Sequence, residues 1–245
     1  MSIPKKIHQI WIGPLPAPTK WLNTWKEKNP DWEYIFWDND KVFSRKWRNQ
    51  KMIDCYKARA EKRRNFVSAR GFVFTGEKAT LFAWHVIADI IRYEILHEEG
   101  GYLASADAKC IAPLSEKAPW LEHDLFTVNT GHLFIERLQN LQTNDPHYKL
   151  NTQRYAPENA SPVLASSKGN EFVEMCIQEL GKLEENEYGE AVDTTGNVFM
   201  GKMLKKYPPS NALITPYYRK KDLRRKGGYS VHFSGTTRSC YQLGR

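Results

Sequence analysis

The most constraining stretch is TGEKATLFAWHVIADIIRYEILHEEGGYLASADAKCIAP, residues 75–113. Leu81, Trp84, Ile87, Ile91 and Leu96 recur at helical spacing and form one apolar face. Thr75 stands where an N-cap hydroxyl serves. Gly100-Gly101 ends the helix, because glycine reaches the left-handed conformation of a helix C-terminus without a Cβ clash. Residues 102–113 then read as one strand. A long amphipathic helix running straight into a strand needs a sheet to cover. The rest of the chain supplies one. Residues 7–13 alternate apolar and polar before Gly13-Pro14, and residues 32–38 form a second, aromatic strand. Further strands are expected at 124–129, 161–167 and 212–218, and helices at 19–30, 170–187 and 193–207. The alternation specifies an α/β fold with a mixed sheet flanked by helices.

Residues 41–64 differ in character, with ten Lys/Arg against two acids. Val42, Phe43, Trp47, Met52, Ile53 and Tyr56 lie between the charges, so one or two basic helices are expected. The reading is a single domain over 1–245 with a basic helical elaboration around 41–75. Cys55, Cys110, Cys176 and Cys240 lie far apart with no C-x-x-C. They read as reduced, mostly buried thiols and exclude the usual zinc spacing. No segment has the length of a transmembrane helix, and the first residues carry no apolar leader, so a soluble cytoplasmic protein is expected. The formal net charge is +8, which attracts polyanions.

Asp107 ends an apolar run, where a carboxylate is costly unless something pairs with it. Asp89 and Arg92 are three residues apart on the long helix and share a face, as an ordinary ion pair would. Asp193, Thr194 and Thr195 precede a helix, as capping residues do. Trp11 follows the first strand, where it can serve either the core or a ligand.

The order of several motifs resembles glycosyltransferase family 32, described by a DXD sugar-binding region and related to the catalytic domains of large clostridial glucosylating toxins. The motifs are IPKKIHQIWIGP, NPDWEYIFWD, ADIIRYEILHEEGGYLASADAKCIAPL, DTTG and HFSG, in that order over most of the chain. The resemblance implies a GT-A-type, Rossmann-like sheet and a nucleoside-diphosphate sugar donor, with a UDP-sugar foremost. It implies Mn²⁺ or Mg²⁺ as cofactor, since a cation bridging the diphosphate stabilises the charge of the leaving group. By the same resemblance Asp107 is a metal ligand, His232 and Ser234 complete the metal and diphosphate site, and Ser239 is a lesser candidate. Asp89 and Arg92 hold the donor sugar and act with Asp107 in catalysis. Trp11 packs on the base, Thr195 lies by a sugar, and Arg238 holds a phosphate. One position departs from the pattern: Ser105-Ala106-Asp107 stands where Asp-x-Asp is usual. Serine can still bond a donor hydroxyl but brings no charge.

The implied reaction moves the sugar to an acceptor hydroxyl with retention, by same-face displacement. The basic segments at 45–64 and 218–228 leave three acceptor readings open. One is DNA with a hydroxylated base, as in DNA modification; another is a phosphorylated lipopolysaccharide or capsule precursor in polysaccharide biosynthesis. The third is a solvated basic face with no polyanionic partner. Two rival functions stand beside transfer: a non-catalytic module binding nucleic acid or an anionic surface, motivated by Ser105, and a nucleotide-sugar hydrolase. Nothing in the sequence specifies an oligomeric state.

Overall fold

A computed structural model describes residues 2–62, 66–67, 73–74, 76–114, 119–129, 160–189, 191–216 and 230–232. The chain runs β1 (Lys6–Ile10), α1 (Thr19–Lys28), β2 (Glu33–Trp37), α2 (Asn39–Phe43), α3 (Gln50–Glu61), β3 (Phe66–Val67), β4 (Val73–Phe74) and α4 (Gly76–Glu99). It continues with β5 (Gly101–Leu103), β6 (Ala108–Cys110), β7 (Leu125–Asn129), β8 (Ala160–Ser166), α5 (Glu171–Gly181), α6 (Ala191–Thr194), α7 (Asn197–Lys206), β9 (Ala212–Pro216) and β10 (Ser230–His232). Six strands form the main sheet in the order β2-β1-β5-β8-β7-β9. Strand β8 runs antiparallel to both neighbours, and the other pairs are parallel. This is the α/β mixed sheet expected from the alternation of elements.

Both faces of the sheet are covered, and side-chain alternation decides which residue goes where. Ile10, Trp37, Leu103 and Leu164 join Ile87, Ile91, Leu96 of α4 and Val173, Ile177 of α5 in one core. Ile7, Tyr102 and Ala165 face the other way, against Trp25 of α1, Trp32 and Trp120. In β5 the neighbours Tyr102 and Leu103 thus serve opposite cores.

The double glycine sets how α4 enters β5. Gly100 and Gly101 both have positive φ, 65° and 105°. A Cβ on Gly101 would lie 2.8 Å from Lys6 O and 2.8 Å from Lys6 Cβ. Beside it, His8 Nε2 bonds Gly100 O at 2.8 Å, and Trp37 Nε1 donates to His8 Nδ1 at 3.2 Å. The accepting Nδ1 leaves Nε2 as the protonated nitrogen, so the buried ring is neutral. Burial is also the main cause holding its pKa below the usual histidine value.

The basic segment forms two helices. Their apolar residues Val42, Trp47, Met52, Ile53 and Tyr56 join the main core with α4. Glu94 of α4 holds the start of α3, accepting from Arg48 N at 2.6 Å and Asn49 N at 2.9 Å. Four cations of the segment face carboxylates: Arg45 with Glu98, Arg48 with Glu174, Lys51 with Glu184 and Lys57 with Glu61. Arg45 also lies over the Trp47 ring and Lys57 over Phe43.

Three expectations are corrected. Residues 102–113 are not one strand. The chain leaves the main sheet after Ala104, whose N–H donates to His8 O, and turns so that Ala108 N meets Ser105 O at 3.1 Å. Strand β6 then pairs with β10 in a separate antiparallel ladder. The helix expected over 170–187 stops at Gly181, and a short 3-10 turn at Glu185–Glu187 starts its own capping box on Glu184. Asp193 and Thr194 are not caps of the following helix. They lie in α6, and the N-cap of α7 is Gly196, with no side-chain cap bond. Cys110 and Cys176 are buried free thiols and Cys55 is half-buried. Thr75 and Cys240 lie outside the described residues.

Candidate active site

The parallel neighbours β1 and β5 end side by side, and ligands of open α/β sheets collect at such carboxyl ends. Trp11, Ile12 and Gly13 follow β1; Ser105, Ala106 and Asp107 follow β5. The two exits are tied together. Gln9 Nε2 donates to Ser105 O at 3.3 Å, and Tyr34 Oη donates to Gln9 Oε1 at 2.8 Å. Asn39 clamps Gly13 from both sides, its Oδ1 accepting from Gly13 N at 2.8 Å and its Nδ2 donating to Gly13 O at 2.9 Å. Gly13 has φ of 108°, and a Cβ there would lie 3.0 Å from Trp84 Cγ, so the loop rests directly on the Trp84 indole.

A cleft opens at this end, lined by Ile10, Trp11 and Leu15 from the β1 side and by Trp84, His85 and Ala88 from α4. Trp11 donates its indole N–H to Leu15 O at 2.7 Å, which holds the ring at the cleft wall. The walls are mostly apolar and aromatic, with one imidazole. Such a surface suits a planar ring.

One turn further along α4, Asp89 and Arg92 form a close ion pair. Arg92 is buried, 4% exposed, so its guanidinium is held beside carboxylate rather than water. Thr195 Oγ1 donates to Asp89 Oδ2 at 3.0 Å, and Tyr93 Oη donates to Thr195 O at 2.7 Å. The segment DTTG therefore meets α4 through Thr195. Thr194 Oγ1 instead accepts from Gly189 N at 3.1 Å.

In the turn after β5, the Ser105 hydroxyl donates to Asp107 Oδ1. Serine at the first motif position thus orients the remaining carboxylate. His232 lies directly opposite Ala108 in the β6–β10 ladder, which brings its backbone beside the residue after Asp107. The His232 side chain, Ser234, Arg238 and Ser239 lie outside what the structure describes.

His85 belongs to this end of the fold although the motif reading passes over it. Burial chiefly lowers its pKa; the Asp107 carboxylate opposes this and the Arg92 guanidinium adds to it. The sequence holds a signal for it: His85, Asp89 and Arg92 stand at i, i+4 and i+7 and share one helix face.

A divalent cation fits this donor set only with help. Asp107 offers carboxylate oxygen and His85 an imidazole nitrogen, both ordinary ligands. Among the described residues no group of three or more His, Cys, Asp or Glu gathers to hold a metal ion. The remaining ligands would have to come from the diphosphate of a bound donor. No helix among the described residues is long and apolar enough to cross a membrane.

Comparisons with known proteins agree with this geometry. The family described as "Glycosyltransferase sugar-binding region containing DXD motif" matches residues 18–127, which include Asp89, Arg92, Ser105 and Asp107. "Subversion of eukaryotic traffic protein A" of Legionella pneumophila is 26% identical over 160 residues, covering 56% of this chain. The match spans only 24% of that relative. Among solved structures, "PaToxG Glycosyltransferase" superposes with a TM-score of 0.54 at 14% identity, over 84% of this chain and 71% of that one, and so shares the fold. The ligand-free glycosyltransferase domain of the YGT toxin is more distant, with a TM-score of 0.33 at 14% identity, over 73% of this chain and 62% of that one. Residues 18–127 thus match a glycosyltransferase sugar-binding region with a DXD motif, and the chain shares the fold of a glycosyltransferase domain.

Proposed function

We propose that the chain transfers a sugar from a nucleoside-diphosphate donor, with a UDP-sugar foremost, to an acceptor hydroxyl, with retention at the anomeric carbon. The observation that carries this reading is the aromatic cleft lined by Trp11, Trp84 and His85 at the carboxyl end of β1, with the Asp89–Arg92 pair one turn further along α4 and Ser105 bonded to Asp107 in the turn after the neighbouring strand β5. The base would lie against the Trp11 wall. Asp89, oriented by Arg92 and Thr195, would accept hydrogen bonds from sugar hydroxyls. Asp107, with His232 and Ser234 as further candidates, would hold Mn²⁺ or Mg²⁺. When bound, that cation offsets the negative charge that develops on the diphosphate. The bond from the anomeric carbon to the diphosphate breaks as the acceptor oxygen bonds the same face. The hydroxyl proton passes to the departing phosphate. Arg238 would hold that phosphate from the tail.

The acceptor is less defined. The ion pairs of α3 and its flanks leave fewer cations of 45–64 for a polyanion, so the DNA and phosphoglycan readings lean on 218–228. The name of the Legionella relative refers to eukaryotic traffic, which adds eukaryotic proteins as acceptors to try.

The test is thermal stabilisation by a panel of nucleoside diphosphates and their sugars, with Mn²⁺ and with chelator. Ligand at about a hundred times its Kd stabilises by about 2.7 kcal/mol. A shift with one nucleotide plus metal, abolished in Asp107→Asn, is expected. No shift with any donor would instead favour a non-catalytic binding module. Donor turnover without acceptor would point to the hydrolase.

A further inference from the structure

We propose that Tyr93 is a positioning residue of the donor site: through Thr195 it fixes the carboxylate of Asp89, the residue read above as the contact to the sugar. Asp89 and Tyr93 are four residues apart, so they share one face of α4. Both reach the same residue of a distant segment. Tyr93 Oη donates to Thr195 O at 2.7 Å, and Thr195 Oγ1 donates to Asp89 Oδ2 at 3.0 Å. The helix thus grips Thr195 at its carbonyl and at its hydroxyl, and one end of that grip is the carboxylate itself.

The threonine hydroxyl has one proton and two acceptors in range, Asp89 Oδ2 and, at 3.2 Å, Ala191 O. Ala191 O already accepts from Thr195 N at 3.0 Å and from Gly196 N at 2.6 Å, so both of its lone pairs are in use. The proton therefore goes to Asp89. Arg92 holds the other carboxylate oxygen, Oδ1. With one protein donor on each oxygen, a turn of the carboxylate breaks both bonds, while each oxygen keeps a lone pair for a ligand.

Exposure separates the residue that can touch a ligand from those that cannot. Tyr93 and Thr195 have no exposed surface, whereas the Asp89 side chain is 16% exposed. A sugar can meet Asp89, and Thr195 acts on it only through that carboxylate. Tyr93 is itself held in place. Its ring meets Phe199 of α7 edge-on at 5.8 Å between centroids, and burial raises its pKa, so the phenol stays a donor. Tyr56 of α3 ties the near end of the same segment, its Oη donating to Gly189 O at 2.6 Å. Held at both ends, the segment cannot follow Asp89 if the carboxylate turns.

The experiment compares the Kd of the full chain for UDP, UDP-glucose and UDP-N-acetylglucosamine by isothermal titration calorimetry, with Mn²⁺ present throughout. Asp89→Asn sets the full effect of disabling the sugar contact, a loss confined to the UDP-sugars. Tyr93→Phe keeps the ring and removes the donor. It should weaken UDP-sugar binding about 3- to 10-fold, the worth of one hydrogen bond, and leave the Kd for UDP within about twofold. Thr195→Val should do the same, and Thr195→Ser should restore binding. In the Asp89→Asn chain, Tyr93→Phe should weaken UDP-sugar binding no further, because its effect passes through Asp89. Thermal melts establish that each variant folds, and Tyr93→Phe carries the test if Thr195→Val does not. Unchanged UDP-sugar binding in a folded Tyr93→Phe overturns the proposal. So does an equal loss for UDP, or a further loss in the Asp89→Asn chain, either of which makes Tyr93 a packing residue only. If Asp89→Asn itself leaves UDP-sugar binding unchanged, or the wild-type chain binds none of the three, the reading of Asp89 as sugar contact fails first, and this inference with it.

Discussion

Gly101→Ala should destabilise the chain far more than Gly169→Ala, and the pair separates backbone strain from steric exclusion. Both glycines have positive φ, 105° and 68°. At Gly169 a Cβ meets nothing within 4 Å, so alanine there brings only the left-handed penalty, about 1–2 kcal/mol. At Gly101 the same Cβ would lie 2.8 Å from Lys6 O, 2.8 Å from Lys6 Cβ and 3.2 Å from His8 Nε2. Two of these atoms belong to or adjoin the backbone of β1, which is paired on both sides in the sheet and cannot withdraw. Overpacking of this kind adds about 1–3 kcal/mol. The total for Gly101→Ala is therefore about 2–5 kcal/mol, against about 1–2 kcal/mol for Gly169→Ala. In a chain of this size the first corresponds to a fall in Tm of roughly 4–20 °C. Urea unfolding monitored by tryptophan fluorescence gives both values on one scale. Equal losses for the two variants would refute the claim that β1 presses on Gly101.

Other predictions concern buried polar groups. Glu94→Gln should cost about 1.5–3 kcal/mol, because one of two backbone N–H groups at the start of α3 would then face an amide NH₂; urea unfolding at pH 7 checks it, and a neutral result would sink the anchoring role. His8 is neutral in the folded chain with its pKa lowered, chiefly by burial, so the unfolded chain binds the extra proton. Its contribution is complete above the unfolded value near 6.5 and falls away as the pH drops below it, by at most about 1.4 kcal/mol per pH unit. His8→Gln should flatten that part of the pH–stability curve, and an unchanged slope would contradict the assignment. Glu174 has the opposite sign: hydrogen bonding from Arg48, above all, lowers its pKa to about 2. That contribution is present above pH 4.5 and is lost as the pH falls towards 2, and Arg48→Met should remove this acid-side loss.

The sequence by itself determined the elements whose cause is local. Helix α4 has its apolar stripe, its double glycine and the strand after it within one continuous stretch, so period and punctuation suffice. The pairing of Asp89 with Arg92 follows from helical spacing alone. The motif order was enough to expect a glycosyltransferase, and the matched region and fold bear that out. Tertiary structure decided what depends on distant partners. Residues 102–113 alternate like one strand, yet the chain breaks at Ser105 because β1 ends there and β10, more than a hundred residues later, captures the remainder. Thr195 looks like a helix cap until α4 is placed against it; its hydroxyl then bonds Asp89. Arg45 and Arg48, between α2 and α3, look like part of a free basic surface, but their carboxylate partners on α4 and α5 arrive only through packing. His85 is one more residue of an apolar helix in the sequence. Only folding sets it in the cleft at the end of β1, because periodicity reports which face a residue is on and says nothing of which strand end that face will meet.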